Sequence, residues 1–397
     1  MPTQQTRPSR EQRGGGDMSR GGILGWLMSA CALAPAAFAA PASASLMVAQ
    51  IAPMSGPIGE EGKAYNLGIR IAIDALNARG GLQGQKIVLN TLDDEYKPDK
   101  TVELIRKEAA SKTLAMLLPV GSPAMSRVLK DKVVDSVRMP IIGVIPGAEP
   151  LRNPPNPYVF HVRAGDQDQY RRIVEHGLTI GMKRVAVVYA DIPFGKAGLA
   201  EVERLLRAGG KEVAVSAAFP IGANIDFSAA LAALRQAVPD VIVLISPAQP
   251  AGQFVKQYRA TGMASPVMTL SYGTAEAICR IAGNEMARGV GIAQVFPNAA
   301  SPTVPVSRRF QEDFQRFGGA GALPTQSHFE GYVTTQVLIE GLRRSGAAPT
   351  REKLIQALES MREADIGGFM VDFSATRRTG SRFVDIGIIS NNCKLVF

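Results

Sequence analysis

From Leu46 to Val295, short apolar runs alternate with helical periodicity so regularly that few architectures remain open to the chain. Strand-like runs fall at Leu46–Ala52, Lys86–Leu92, Leu114–Pro119 and Pro140–Ile145. Helical stretches lie between them at Lys63–Arg79, Pro98–Ser111 and Pro123–Ser136. Strands joined by helices must run parallel, with right-handed crossovers. Gly80–Gly81 is expected to end the first helix and Asp99 to cap the second. A proline-rich break, Glu149–Pro157, precedes the run Tyr158–Arg163, and then the alternation restarts. Its strands are expected at Arg184–Ala190, Glu212–Ala217, Asp240–Ile245, Pro266–Leu270 and Gly289–Val295, again with helices between. Two doubly wound α/β sheets follow, as expected for roughly 350 residues, more than one ordinary core holds.

Beyond Phe296 the pattern changes. Helical stretches Ser307–Phe317, Thr325–Arg344 and Thr350–Ser360 come without strands, and extended segments Gly368–Phe373, Arg382–Ile389 and Lys394–Phe397 finish the chain. Helices lacking strands of their own cannot build a third α/β unit. They are expected to pack back on the first sheet, so that the chain crosses between units more than once.

Met18–Ala44 reads as a secretory signal peptide, with Arg20 as its positive region, Ile23–Ala34 as its apolar core and Ala37–Phe38–Ala39 or Ala42–Ser43–Ala44 as cleavage site. The apolar core falls short of the ~20 residues that span a bilayer. A periplasmic location with no stable membrane insertion after cleavage is expected. Met1–Asp17 reads as an upstream extension of a start at Met18. Cys31 has a poor lipobox before it, which disfavours lipidation. Only Cys279 and Cys393 remain beyond the leader. Two cysteines make no metal-ligand set; an exported chain admits a disulfide between them, and buried free thiols are the favoured reading.

The net charge is +9, of which the leader's four arginines, Glu11 and Asp17 account for +2. The remaining basic residues are spread along helices and not interleaved with aromatics, as on a solvated surface, so no nucleic-acid partner is expected. The opening segment LMVAQIAPMSGPIGEEG runs from strand through a Ser/Gly loop into a helix. That places hydroxyl and N–H groups at the carboxyl end of a sheet, where open α/β sheets bind small ligands. There is no G-x-S-x-G, H-E-x-x-H or G-x-G-x-x-G pattern, and His161, His176 and His328 stand far apart. Capture of a molecule is favoured over catalysis; no enzyme activity, cofactor or metal is expected.

Several segments, in order, carry a resemblance: IAPMSGPIGEEGKAYNLGIRIAIDALNARGGLQGQKI, LDDEYKP, LLPVGSPAMS, PIIGVIPGAEPL, YVFHVRAGDQDQ, KRVAVVYADIPFGKAG, DFSAALAALRQAVPDVIVL and FEGYVTTQVLIEGL. Together they resemble the periplasmic substrate-binding proteins of branched-chain amino-acid ABC transporters, the leucine/isoleucine/valine-binding family. The resemblance implies a type I periplasmic binding protein fold, with two doubly wound parallel-sheet lobes joined by three crossovers. Residues 46–162 plus 297–371 would form lobe 1, and 163–296 plus 372–397 lobe 2, after a leader at 1–44. It implies a monomer that takes a small-molecule ligand (amino acid, amide or carboxylate) between its lobes and hands it to an inner-membrane ABC permease. A sensor of the same fold feeding a signalling partner is the alternative.

On this resemblance the first-lobe ligand loops are Val120–Gly121–Ser122, where the Ser122 hydroxyl serves a ligand carboxylate, a helix N-cap or both, and Pro146–Gly147–Ala148–Glu149. Glu149 stands where amino-acid binders commonly carry Thr; it either meets a ligand amine, repels an anionic ligand or faces solvent. Ser55 and Tyr96 complete the rim, and Asp93–Asp94 reads as a turn element. From the second lobe Phe194 covers the ligand or staples its own helix. Ala248 and Tyr272 lie in loops where amino-acid-binding relatives place a Tyr and a Glu. Losing that Glu removes the partner of an α-amino group and points away from leucine, toward an amide, carboxylate or aromatic acid.

Overall fold

The computed structural model describes residues 45–56 and 58–397; the expected signal peptide and Cys31 lie outside them. Five strands, β1 (Leu46–Ala52), β2 (Ile87–Asp93), β3 (Met116–Leu117), β4 (Ile141–Ile142) and β5 (Val159–Phe160), form the first sheet. Its order is β2-β1-β3-β4-β5, parallel throughout. Strands β6 (Val185–Ala190), β7 (Val213–Phe219), β8 (Val241–Ile245), β9 (Val267–Thr269) and β10 (Gly291–Gln294) repeat that order in the second sheet. A ribbon of β11 (Ala364–Asp365) and β12 (Met370–Val371) follows. Then β13 (Asp385–Ile389) and β14 (Leu395–Val396) add antiparallel to the outer edge at β10. The second sheet is therefore mixed, with seven strands, and not wholly parallel as expected.

Helices α1 (Gly59–Ala78), α2 (Pro98–Ala109), α3 (Ser122–Lys130) and α4 (Val133–Val137) connect the first sheet. The second has α5 (Asp166–Thr179), α6 (Pro193–Ala208), α7 (Ser228–Ala237), α8 (Ala248–Ala260), α9 (Ala275–Ala282) and α10 (Asn284–Ala287). Helices α11 (Pro305–Phe317), α12 (Gln326–Arg344) and α13 (Arg351–Glu359) return to the first sheet's core, where Phe310, Phe329, Tyr332 and Leu358 pack with Val48, Ile69 and Leu117. The α1–α12 crossing is close because it is lined by glycine: a Cβ on Gly68 or Gly331 would collide with the carbonyl of His328 or Tyr65. The chain thus passes between the sheets three times, after β5, after β10 and after β12.

Local departures have physical causes. Pro123–Ser136 is two helices, because Lys132 adopts a left-handed conformation, φ 49°. Asp99 does not cap α2; the N-cap is Lys97, with Pro98 starting the helix, and Asp99 reaches Arg127 instead. Cys279 and Cys393 are bonded to each other, not free, tying α9 to the turn before β14 across 114 residues.

Candidate functional site

In a 2-1-3-4-5 sheet the strand order reverses between the first and third strands, and the loops leaving their carboxyl ends diverge to form a crevice. Here that happens twice. The loops after β1 and β3 hold Ser55 and Gly121, with Ser122 opening α3; β6 and β8 lead into Phe194 and Ala248, in the first turns of α6 and α8. The next loop in each half, after β4 and after β9, holds Gly147 and Tyr272. Those two residues touch: the Gly147 N–H donates to the Tyr272 hydroxyl at 2.8 Å.

The Tyr272 hydroxyl in turn donates to Asp166 Oδ1 at 2.7 Å, and the Asp166 N–H donates to the Gly147 carbonyl at 3.0 Å. Gly147 is fitted to this ring, since a Cβ there would run into the Asp166 carboxylate. The Phe194 ring meets Tyr272 edge-on at 5.5 Å, and the Arg163 guanidinium lies 5.1 Å from the Tyr272 ring centre. Phe194 thus packs against Tyr272 of another loop as well as in the cluster that holds Val202 and Leu206 of its own helix. Behind Tyr272, Ser271 accepts from Arg163 through its hydroxyl, and its N–H donates to Gln169 at 2.9 Å.

On the first side, Asp93 and Asp94 form the expected turn. Asp93 accepts from the N–H groups of Met54 and Glu95 and from the Ser55 hydroxyl at 2.6 Å, while Asp94 accepts from the Tyr96 N–H and the Thr101 hydroxyl. The Tyr96 ring lies over Gly121, whose φ of 109° and missing Cβ make room for it. Gly121, not Ser122, is the N-cap of α3; Ser122 is its first helical residue and makes no side-chain cap bond. Glu149 does not join these groups. It bonds the Asn153 side chain and lines a separate groove.

Charged residues overlooked in the sequence fill the base of the cleft. Arg163, at the exit of β5, forms a buried ion pair with Glu330 of α12 at 3.2 Å. Glu61, in the first turn of α1, lies one helical turn before Tyr65 and 3.5 Å from its hydroxyl. Burial pushes the Glu61 carboxyl up to about 7; Arg163 opposes this and Glu330 adds to it. Burial also raises Asp166, against the Tyr272 hydrogen bond and the charge of Arg163. Glu330 stands in the run FEGYVTTQVLIEGL beside Thr334, Thr335, Gln336 and a second acid, Glu340, so the sequence alone does not single it out. No signal marks Glu61 or Asp166 either, because acids are ordinary in a helix's first turn.

Tyr65, Ser271, Thr274, Glu276, Gln326 and Glu330 enclose a void of about 20 Å3, room for about one water. Ligand pockets usually measure roughly 300–1,000 Å3. None of Ser122, Gly147, Phe194 and Tyr272 lines this void, and Gly147 and Tyr272 are bonded directly to each other. Two histidines are structural: His161 is buried beside the Leu151 carbonyl and held well below its ordinary pKa by burial and by Arg152, while burial pushes His328, in the cap of α12, down to about 4. Among the described residues no cluster has the makings of a metal site, and no helix is long and apolar enough to cross a membrane.

Two sheets of one topology, bonded to each other through the loops after β4 and β9, define a solute-binding protein of type I. Comparison with known proteins agrees: the family model "Periplasmic binding protein" matches residues 45–387, and the chain belongs to that family. It is 26% identical over 342 residues to the Leu/Ile/Val-binding protein BraC3 of Rhizobium johnstonii, covering 85% of this chain and 89% of the relative. A substrate-binding periplasmic protein from Ralstonia solanacearum superposes with a TM-score of 0.81 at 32% identity, over 89% of this chain and 99% of that one. An extracellular ligand-binding receptor from Verminephrobacter eiseniae matches with the same score and identity, over 89% and 100%. These relatives are solute-binding proteins and not enzymes.

Proposed function

We propose that the protein is a periplasmic receptor that traps a small polar solute between its two lobes and presents the closed form to an inner-membrane ABC permease. The moving bodies are residues 46–162 with 297–371 and residues 163–296 with 372–397. The observation that carries this reading is the Gly147–Tyr272–Asp166 ring, in which corresponding loops of the two sheets bond directly. A solute touching both loops binds the closed arrangement better than the open one, and that difference drives closure. Export through the leader is supported by the family and by the Cys279–Cys393 bond, which suits an oxidising compartment.

The solute's oxygen atoms are received by the Ser122 hydroxyl and the backbone N–H groups around Gly147, and its body lies against Tyr96, Phe194 and Tyr272. Glu61 supplies the acid absent from the loop of Tyr272, so an amino acid or amide stands beside a carboxylate as candidate ligand. A thermal-shift screen of amino acids, amides, short carboxylates and aromatic acids tests this. A true ligand at 100 times its Kd stabilises by about 2.7 kcal/mol. Ser122→Ala and Phe194→Ala should each weaken that response; unchanged affinity in both rejects the cleft assignment.

A further inference from the structure

Arginines that are scattered along the sequence converge on one groove outside the cleft. The groove measures about 400 Å3 and is walled by the loop after β4, the start of α5 and the segment between β12 and β13. Arg152, Arg171, Arg362, Arg377, Arg378 and Arg382 line it, against only two carboxylates, Glu149 and Asp168. Some of this charge is spoken for: Arg171 pairs with Asp168, Arg378 with Glu359, and Arg377 and Arg362 share Asp372. Arg382 has no ion pair among the described residues.

Arg152 is the informative member. It is only 6% exposed, yet no carboxylate bonds it. Its guanidinium donates to the carbonyls of Arg163 and Ala164 and to the Thr379 hydroxyl at 3.2–3.4 Å, and its Nε has no partner among the described residues. Arg378, 4% exposed, is fixed by the Ser374 carbonyl at 2.9 Å and by the Phe160 ring at 4.5 Å, and its Nε is likewise unpartnered. Arg378 has Glu359 as counter-ion, but Arg152 has no ion pair among the described residues, and desolvating a guanidinium is costly unless an anion compensates it. Held in place before binding, such forks suit planar or tetrahedral oxyanions in bidentate contact.

We propose that this groove is a second binding site, for a small multivalent oxyanion such as a polycarboxylate or a phosphate compound. Arg152 and Arg378 form its floor, and Arg171 and Arg382 close over the ligand from the rim. The site is distinct from the solute cleft: the residues that line it do not include Ser122, Phe194 or Tyr272.

The test is calorimetric titration of the purified protein at low ionic strength with citrate, pyrophosphate and, as monovalent reference, acetate. At least one multivalent anion should bind about tenfold or more tightly than acetate, through charge-assisted bidentate contacts; whether citrate or pyrophosphate binds better identifies the carboxylate or phosphate source. The double variant Arg171→Ala/Arg382→Ala, which leaves both buried arginines in place, should weaken that binding about tenfold and leave the cleft solute's affinity unchanged. Equal weak binding of all three anions, or no change in the double variant, overturns the proposal. So does loss of anion binding in Ser122→Ala, which would place the anion in the cleft.

Discussion

The loops after β1, β3 and β4 and the loops after β6, β8 and β9 hold corresponding places in two sheets of one order, yet they bring opposite chemistry to the cleft. The first set offers backbone and small residues: Gly121 lies against the Tyr96 ring, the Gly147 N–H already donates to Tyr272, and Ser122 opens α3. The second set offers rings, with Phe194 and Tyr272 edge to face. Backbone donors recognise an oxygen atom whatever the rest of the ligand is, whereas rings set its size and shape. On the function proposed above, selectivity would therefore lie in the second half and anchoring in the first.

The halves also differ in how they are held together. The first is tied by chain return: α12 lies across α1, and Glu330 clamps Arg163. The second is closed covalently, with Cys279–Cys393 pinning the antiparallel edge to α9. The largest expected effect comes from breaking the clamp. Arg163→Ala leaves Glu330 buried and unpaired and should cost about 3–5 kcal/mol in urea unfolding, whereas Arg163→Met with Glu330→Leu should cost far less. Equal losses in both variants would mean that packing, and not charge, holds this joint. Next comes the disulfide. Cys279→Ser/Cys393→Ser should lose about 2–5 kcal/mol, and hydrogen exchange should rise at α9, β13 and β14 before it rises in the first sheet. Uniform acceleration across both sheets would contradict the division of labour.

A smaller effect is set by pH. Glu61 has a folded pKa near 7, above its ordinary value of 4.5, so between those values the folded state binds more protons than the unfolded one. Its contribution is fully present below about pH 4.5 and is lost as pH rises through 7, on the order of 3 kcal/mol. Glu61→Gln should flatten the stability profile from pH 5 to pH 8; a profile identical to the parent's would show that Glu61 is solvated.

Much of the scaffold was legible. The β1 run Leu46–Ala52 is the strand itself, and most helices end within a few residues of their apolar periodicity. Strands β3 and β4 are shorter than their apolar runs because burial continues past the ladder: Leu118 turns into a left-handed conformation, and Val120, Val144 and Ile145 stay buried in the loops. The tight loops at Gly121 and Gly147 were legible because small residues after a strand imply close backbone approach. The cleft's charges were not, since Arg163 and Glu330 are 167 residues apart and only the return of α12 joins them. The arginine groove was hidden likewise: Arg152 and Thr379 meet across 227 residues.

Closure around a solute is the central claim, and a crystal structure with the strongest stabilising compound from the thermal screen tests it most directly. Density for that compound between Ser122 and Gly147 on one side and Phe194 and Tyr272 on the other is the predicted result. Density lodged elsewhere, with the Gly147–Tyr272–Asp166 ring still closed, would contradict it.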